Sequence, residues 1–509
     1  MDTKALRQKI LDLAIRGKLV PQDPSDEPAS VLLERIREQK KQMVKEGKLK
    51  AKDIKNDTII FVGEDNLHYE KFADGTVKCI EEEIPFEVPE GWEWARLGTI
   101  SNIVTGRLDA NAQTPDGEYP FFSCGEEVFK TNSFAFDCNA ILLGGNNATG
   151  DFKMHRFSGK FNAYQRVYVI TTFPEIDADY LYSHIQYYLP KLQLQSIGSQ
   201  TRYLKLGMIT ELLIALPALD EQKCISESCN KYLNYCTEIA CEKDSLKDII
   251  KNAKSKILDL AIRGKLVPQD PNDEPASVLL ERIRVEKEEL IKQGKIKRDK
   301  KSSIIFRGDD NSYYLRTELE TMEIADELPY EIPESWEWTR IGNVFQVNPR
   351  NKLDDLLEVS FIPMPLIDDG FSGKHTSEVR VWEKIKSGFT HFTEGDIGIA
   401  KITPCFENRK SVVFRNLKNN YGAGTTELHV LRPYASSILP EYVLAYVKSS
   451  MFIDKGKQEF TGAVGQQRIG KDYVENSYFP IPPLAEQKRI VEQISTVYKQ
   501  LDLISNALR

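Results

Sequence analysis

The sequence predicts an α+β protein built as a circular repeat: two α/β blocks at opposite ends of a long antiparallel two-helix coiled coil, related by a pseudo-two-fold axis. Three observations carry that expectation. One phrase occurs twice, its copies flank two stretches that differ, and the two ends of the chain together reproduce its middle. The phrase KILDLAIRGKLVPQDPSDEPASVLLERIR runs from Lys9 to Arg37 and returns from Lys256 to Arg284 with one change, Ser25 becoming Asn272.

The correspondence extends outward. EGKLK (46–50) matches QGKIK (293–297), IIFVGEDN (59–66) matches IIFRGDDN (304–311), and IPFEVPEGWEWARLG (84–98) matches LPYEIPESWEWTRIG (328–342). The copies then diverge until LPALDEQK (216–223) meets IPPLAEQK (481–488). A plain recent duplication would leave the intervening blocks as alike as the flanking frameworks. They are not alike, so the framework is held fixed while the blocks are free to differ. The central framework from Glu221 to Arg284 also aligns with the two chain ends, Arg509 falling opposite Asp244 and Met1 opposite Asp248. One framework copy is continuous and the other is split by the termini.

From Glu221 to Arg263 there is neither proline nor glycine, and Gly264 and Pro268 follow as stop signals. Apolar residues recur by fours and threes at Ile225, Cys229, Tyr232, Cys236, Ile239, Leu246, Ile250, Ala253, Ile257 and Leu260, with Lys243 as the charged member. That is a heptad seam on a helix about 65 Å long. The split copy supplies Ile490, Ile494, Val497, Leu501, Ile504 and Leu508, continued by Leu6, Ile10 and Leu13. Each block is fed by the end of one helix and feeds the start of the other, which only an antiparallel pair permits. After each helix, GKLVPQDP forms a turn-rich hinge, and Asp26/Pro28 or Asp273/Pro275 begin a second, returning helix.

The expected organisation is an N-terminal helical framework (1–50) completing the second coiled-coil helix, a linker (51–90), a first variable block (91–218), a central framework (219–300), a second linker (301–334), a second block (335–483) and a C-terminal helix (484–509). Each block reads as short alternating strands with Gly and Asn turns: AILLGG (140–145), FNAYQRVYVITT (161–172), GDIGIAKITP (395–404) and TTELHVLRP (425–433). A helical pattern closes each, so one curved sheet with flanking helices is expected in both.

Composition narrows the function. No apolar stretch approaches the roughly 20 residues needed to cross a bilayer, and the N-terminus is charged, which points to the cytoplasm. The eight cysteines include no C-x-x-C pair, which argues against zinc or a disulfide framework. A net charge of −8 argues against free, tight coating of nucleic acid, so a binding face must be local or shared with a partner.

The repeated framework, the W-E-W opening, GDIGIAKITPCFEN followed by GAGTTELHVLRP, and the closing P-P-L-x-E-Q-K together resemble the specificity subunit of type I restriction-modification systems. The resemblance covers the whole chain. It implies that each variable block is a target-recognition domain reading one half of an asymmetric bipartite site in double-stranded DNA. It also implies that the frameworks dock two methyltransferase subunits, that restriction subunits join this core, and that the helical bar sets the half-site spacing.

Base edges are read by Arg, Lys, Asn and Gln presented in the grooves, while phosphate contacts fix position. Candidates in the first block are Arg107, Asn111, Gln113, Asn146, Asn147, Thr149, Lys153 and Arg156. In the second they are Asn348, Arg350, Lys352, Lys374, His375, Lys401, Asn408, Arg409 and Lys410. Near the two exits, Gln200, Thr201, Arg202 and Gln466, Gln467, Arg468 repeat a polar-basic cluster. Each such residue also suits an ordinary solvated loop. No Asn/Asp-Pro-Pro-aromatic methyltransferase tetrapeptide and no G-x-x-x-x-G-K-[ST] loop occurs, so no catalytic residue, cofactor or metal is expected. The competing reading is a two-headed adaptor that binds proteins and never touches DNA.

Overall fold

The structure is a computed structural model and describes residues 2–51, 54–298, 303–435, 438–463 and 465–508. It divides into two compact units, Met1–Lys243 and Asp244–Arg509. A single 44-residue helix, Leu219–Ile262, gives its first half to one unit and its second half to the other. The α+β class expected from the repeat is observed.

In the first unit the N-terminal helix Thr3–Ile15 lies on the first half of the long helix. Ile10, Leu11, Ala14 and Ile15 share one core with Ile225, Cys229, Leu233 and Cys236. Arg7 Nη1 donates to the Leu233 carbonyl at 3.1 Å and to Thr237 Oγ1 at 2.9 Å. Gly17, just past the other end of the N-terminal helix, packs on Trp92, whose Nε1 donates to Glu221. Rising numbers in one helix therefore meet falling numbers in the other, and the pair is antiparallel. In the second unit the C-terminal helix Leu484–Ala507 repeats the arrangement. Ile490 packs in a core with Ala261 and Ile262, whereas Tyr498 donates its hydroxyl to the Lys254 carbonyl at 2.8 Å. The junction residues Met1 and Arg509 lie outside the described residues.

The seam departs from a strict heptad in each helix. Tyr232 is 44% exposed, and the position is filled by Leu233, 7% exposed. Spacings of four, four and three from Ile225 to Cys236 suit a straight helix of 3.6 residues per turn, which drifts off a 3.5 repeat. Ile504 is likewise 47% exposed. Lys243 is half-buried and adds to the charges that hold the Asp2 carboxyl low, after the Ala5 and Lys4 backbone N–H groups. The expected lone charge on the seam is thus within electrostatic reach of a carboxylate.

Each variable block is zipped shut at its base. In the first, the opening strand Glu93–Arg96 pairs antiparallel with the closing strand Leu213–Leu216; in the second, Glu337–Arg340 pairs with Tyr478–Ile481. Trp92 Nε1 donates to Glu221 Oε2 and Trp336 Nε1 to Glu486 Oε2, both at 2.9 Å. The next residue ties in the block's helix. Gln222 Oε1 accepts the Asp177 N–H at the start of Ala178–Gln195, and Gln487 Oε1 accepts the Leu439 N–H at the start of Pro440–Val447. Tyr180 and Tyr442 on those helices donate to the carbonyls of Ala215 and Pro480 on the closing strands. Gly17 and Gly264 close each framework helix at φ +63° and +67°, and a Cβ on either would press on Pro89 and Trp92 or on Pro333 and Trp336. The repeated G-K-L-V-P hinge and the W-E-W opening are therefore two sides of one contact.

Above this base the blocks differ. The first carries a six-stranded sheet in the order Ser101–Thr105, Val167–Thr172, Phe136–Gly144, Met154–Ala163, Tyr119–Phe122, Val128–Thr131. The segment 161–172 is two of these strands with a turn between them, not one. The second carries two four-stranded sheets where a single one was expected. Strand Thr390–Thr393 of one sheet passes through Gly395, at φ +86°, into Ile397–Ala400 of the other. Phe392 and Phe414 stack at 3.7 Å. Between frameworks and blocks, Ile59–Val62, His68–Lys71 and Val77–Cys79 form a three-stranded sheet, and Ile304–Arg307, Tyr313–Arg316 and Thr321–Glu323 form its counterpart.

Two outcomes test this packing. Leu233→Ala should cost about 2–4 kcal/mol while Tyr232→Ala costs under about 1 kcal/mol, measured by chemical denaturation. Glu486→Ala leaves the Trp336 N–H buried without an acceptor and should cost about 1–3 kcal/mol, whereas Glu486→Gln, which keeps an acceptor oxygen, costs less. Burial raises the Glu486 pKa against the lowering hydrogen bonds of Trp336 and Gln269. Its contribution to stability is therefore full below the ordinary carboxylate value and is lost as pH rises through the raised one. Glu486→Gln should remove that slope in pH-dependent melts.

Candidate nucleic-acid interface

The two exit clusters occupy equivalent places. In the first unit, strand Phe136–Gly144 runs through Gly145 into Asn146–Asn147, which pairs antiparallel with Arg202–Tyr203. The Ile197 and Tyr203 N–H groups each donate to the other's carbonyl, at 3.1 and 2.9 Å, and Gly198 turns the chain at φ +112°. This pinches residues 197–203 into a finger whose tip, Gln200 and Thr201, is exposed. In the second unit, Arg468 bridges Ile402, the Thr403 N–H donates to the Gln467 carbonyl at 2.9 Å, and the Ile469 N–H donates to the Lys401 carbonyl at 3.0 Å. There the finger closes through Thr461 and Arg468, and Gln466 is exposed near its tip.

The two arginines brace these fingers from within. Arg202 Nη1 donates to the Gln193 carbonyl at 3.1 Å and Ser196 Oγ at 3.3 Å. Arg468 grips the Glu427 carboxylate with Nε and Nη2, both at 2.9 Å, and holds its pKa down. Asn147 is also used locally, its Oδ1 accepting the Thr149 N–H and hydroxyl in an Asx turn.

A second group joins the first unit's finger along one sheet edge. The Arg107 N–H donates to the Ala163 carbonyl, the Gln165 N–H to the Leu108 carbonyl, and the Gly145 N–H to the Arg166 carbonyl. The turn Tyr164–Arg166 thus sits between loop 107–113 and Asn146–Asn147. Arg107, Asn111, Gln113 and Thr149 are exposed there with Gln200 and Thr201. Sequence reasoning missed Gln165 and Arg166, both exposed on this same edge, because 161–172 read as an unbroken strand, and it passed over Tyr203, exposed beside Arg202 in the finger. The Y-Q-R triplet between two apolar runs was the available signal for a turn. Lys153 pairs with Asp151 at 2.9 Å, and Arg156 holds Asp179 at 3.0 Å and also meets Asn139.

Candidates in the second unit divide more sharply. Asn348, at φ +56°, locks a turn by accepting the Val430 N–H at 3.0 Å and meeting His429. Arg350 donates to the Phe389 carbonyl at 2.8 Å. His375 Nε2 accepts the Arg415 N–H at 3.2 Å, and burial lowers its pKa. Lys410 donates to the Ile367 and Met364 carbonyls at 2.9 and 3.4 Å. The Asn408 carbonyl accepts the Gly370 N–H at 2.7 Å. Arg409 turns toward the long helix, with Nη2 3.2 Å from Ser255 Oγ. Lys352, Lys374, Asn408 and Gln466 are exposed, and Lys401 and Gln467 are half-buried. No helix among the described residues is long and apolar enough to cross a membrane.

Comparison with known proteins accords with this duplicated arrangement. The family described as "Type I restriction modification DNA specificity domain" matches residues 89–247 and 333–509. The Type I restriction enzyme EcoAI specificity subunit of Escherichia coli is 47% identical over 254 residues, which is 50% of this chain and 40% of that protein. The match therefore spans less than half of that relative's length. The EcoDI specificity subunit of the same organism is 28% identical over 423 residues, 82% of this chain and 84% of that protein. A solved structure concerning complex assembly and conformational transition of the type I R-M system aligns with 83% of this chain and 94% of its own, at 15% identity and a TM-score of 0.47. With the family match covering both variable blocks and the framework segments that follow each, the chain belongs to the type I restriction-modification DNA specificity family.

Proposed function

We propose that the chain is the non-catalytic DNA sequence-specificity subunit of a type I restriction-modification complex. The blocks 91–218 and 335–483 act as target-recognition domains, each reading one half of an asymmetric bipartite site in double-stranded DNA. The frameworks 1–50, 219–300 and 484–509 dock two methyltransferase subunits and set half-site spacing. Segments 51–90 and 301–334 join framework to reader. Restriction subunits join the assembled core, and the complex works in the cytoplasm.

One observation carries this reading. The same finger-and-turn pairing recurs in both units, Arg202–Tyr203 on Asn146–Asn147 and Arg468 on Ile402, while the side chains presented there differ. Two equivalent platforms with unlike chemistry suit two unlike half-sites. Gln200, Thr201, Arg107, Asn111 and Gln113 are the base-reading candidates in the first domain, joined by Gln165 and Arg166. Gln466, Gln467, Lys401, Lys352 and Lys374 serve in the second. Phosphates are met by lysines such as Lys153, and the docked methyltransferases complete a positive surface that a chain of net charge −8 lacks alone.

Methylome sequencing after deletion of the gene should show one split methylation motif disappear. An unchanged methylome would favour a protein-binding adaptor. Gln200→Ala and Gln466→Ala should each relax one base position in one half-site by about 1–3 kcal/mol and leave the other half unchanged, read by binding selection on randomised sites.

A further inference from the structure

We infer that Arg409 does not read DNA but fixes the orientation of the second block on the helical framework, and with it the half-site spacing that the chain accepts. The inference rests on the two-reader function proposed above. Arg409 lies in the turn after strand Ile397–Ala400 and holds φ +56°, a conformation that a non-glycine residue keeps only when its surroundings enforce it. The turn bonds from the Arg409 N–H to the Phe406 carbonyl at 2.9 Å and from the Lys410 N–H to the Cys405 carbonyl at 3.0 Å hold that backbone, and the guanidinium is held in turn. Nε donates to the Lys448 carbonyl at 2.9 Å, and Nη2 donates to Ser450 Oγ at 3.3 Å and Ser255 Oγ at 3.2 Å.

Ser255 belongs to the long framework helix, whereas Lys448 and Ser450 lie at the junction of two helices of the block. The two serine hydroxyls are 2.6 Å apart, and Asp259, one turn further along the framework helix, accepts the Ser450 N–H at 3.2 Å. The guanidinium also lies 4.9 Å from the Phe371 ring centroid, and Phe371 packs edge-on against Tyr498 of the C-terminal helix at 5.8 Å. Lys448 ties the same loop down by donating to the Gly370 carbonyl at 2.6 Å. One planar side chain therefore joins three parts of the block to one framework helix directly and reaches the other through Phe371. A lysine offers charge but not donors fixed in these several directions.

The test uses the full chain assembled with its methyltransferase partner and DNA duplexes differing only in spacer length. Arg409→Ala should leave the preferred bases of both half-sites unchanged. It should reduce discrimination against a spacer one base pair longer or shorter by about tenfold, the scale of losing one charged hydrogen-bond network. Arg409→Lys should not restore it. Ser255→Ala should shift the spacer profile in the same direction, and the double variant should go no further than Arg409→Ala alone.

Loss of preference at one base, or rescue by lysine, would make Arg409 a DNA contact and overturn the inference. An affinity drop equal at all spacer lengths would overturn it as well, reducing the residue to general stability. Should Arg409→Ala fail to fold, an unchanged profile in Ser255→Ala decides against the proposal. A wild-type complex with no spacer preference would instead sink the functional reading itself, and this inference with it.

Discussion

The buried hydrogen bond from a tryptophan to a glutamate, made once in each unit, is the constraint on which the rest depends. Trp92 with Glu221 and Trp336 with Glu486 join the point where each variable block opens to the point where it closes. An indole N–H and a carboxylate taken out of water are costly unless paired. Neither partner is free to vary alone, and the glutamine beside each glutamate carries the constraint to the block's helix. The base of each block is thereby the same whatever sheet it carries.

That closure explains how one chain keeps its framework nearly identical while its blocks diverge. Residues of the hinge, the W-E-W opening and the closing motif touch one another, so a change in any of them strands a buried group or meets a wall, as a Cβ at Gly17 or Gly264 would. Within the blocks, the exposed tips at Gln200 and Gln466 make no such contact. Even the sheet architecture can change, from six strands in one sheet to four and four in two, provided both ends return to the same zipped strands. Separation of a fixed base from a free tip is what a reader with replaceable specificity requires.

Much of this was legible in the sequence, because repetition and periodicity report backbone and core. The long helix, its antiparallel partners and the hinge glycines follow from the repeat, the apolar spacing and the stop signals. Details of facing were not. Tyr232 and Leu233 are adjacent apolar residues, and only the accumulated drift of a straight helix decides which one is buried. The second block's division into two sheets turns on Gly395 and the Phe392–Phe414 stack, a long-range contact without a local signature. Candidate readers were chosen by residue type, which cannot tell an outward side chain from one that folds inward. Arg156, Arg468 and Lys410 are basic loop or strand residues satisfied by their own protein, whereas Arg166 and Gln165 escaped notice inside an apparently continuous strand.

The central claim is that the two blocks read DNA independently on a shared framework, and exchanging one block measures it most directly. Residues 91–218 would be replaced by the corresponding block of the EcoAI specificity subunit and the methylated motif sequenced. The account predicts a hybrid motif in which one half-site changes to that of the donor while the other half and the spacing are kept. A motif altered in both halves, or one that does not respond to the exchange, would contradict it.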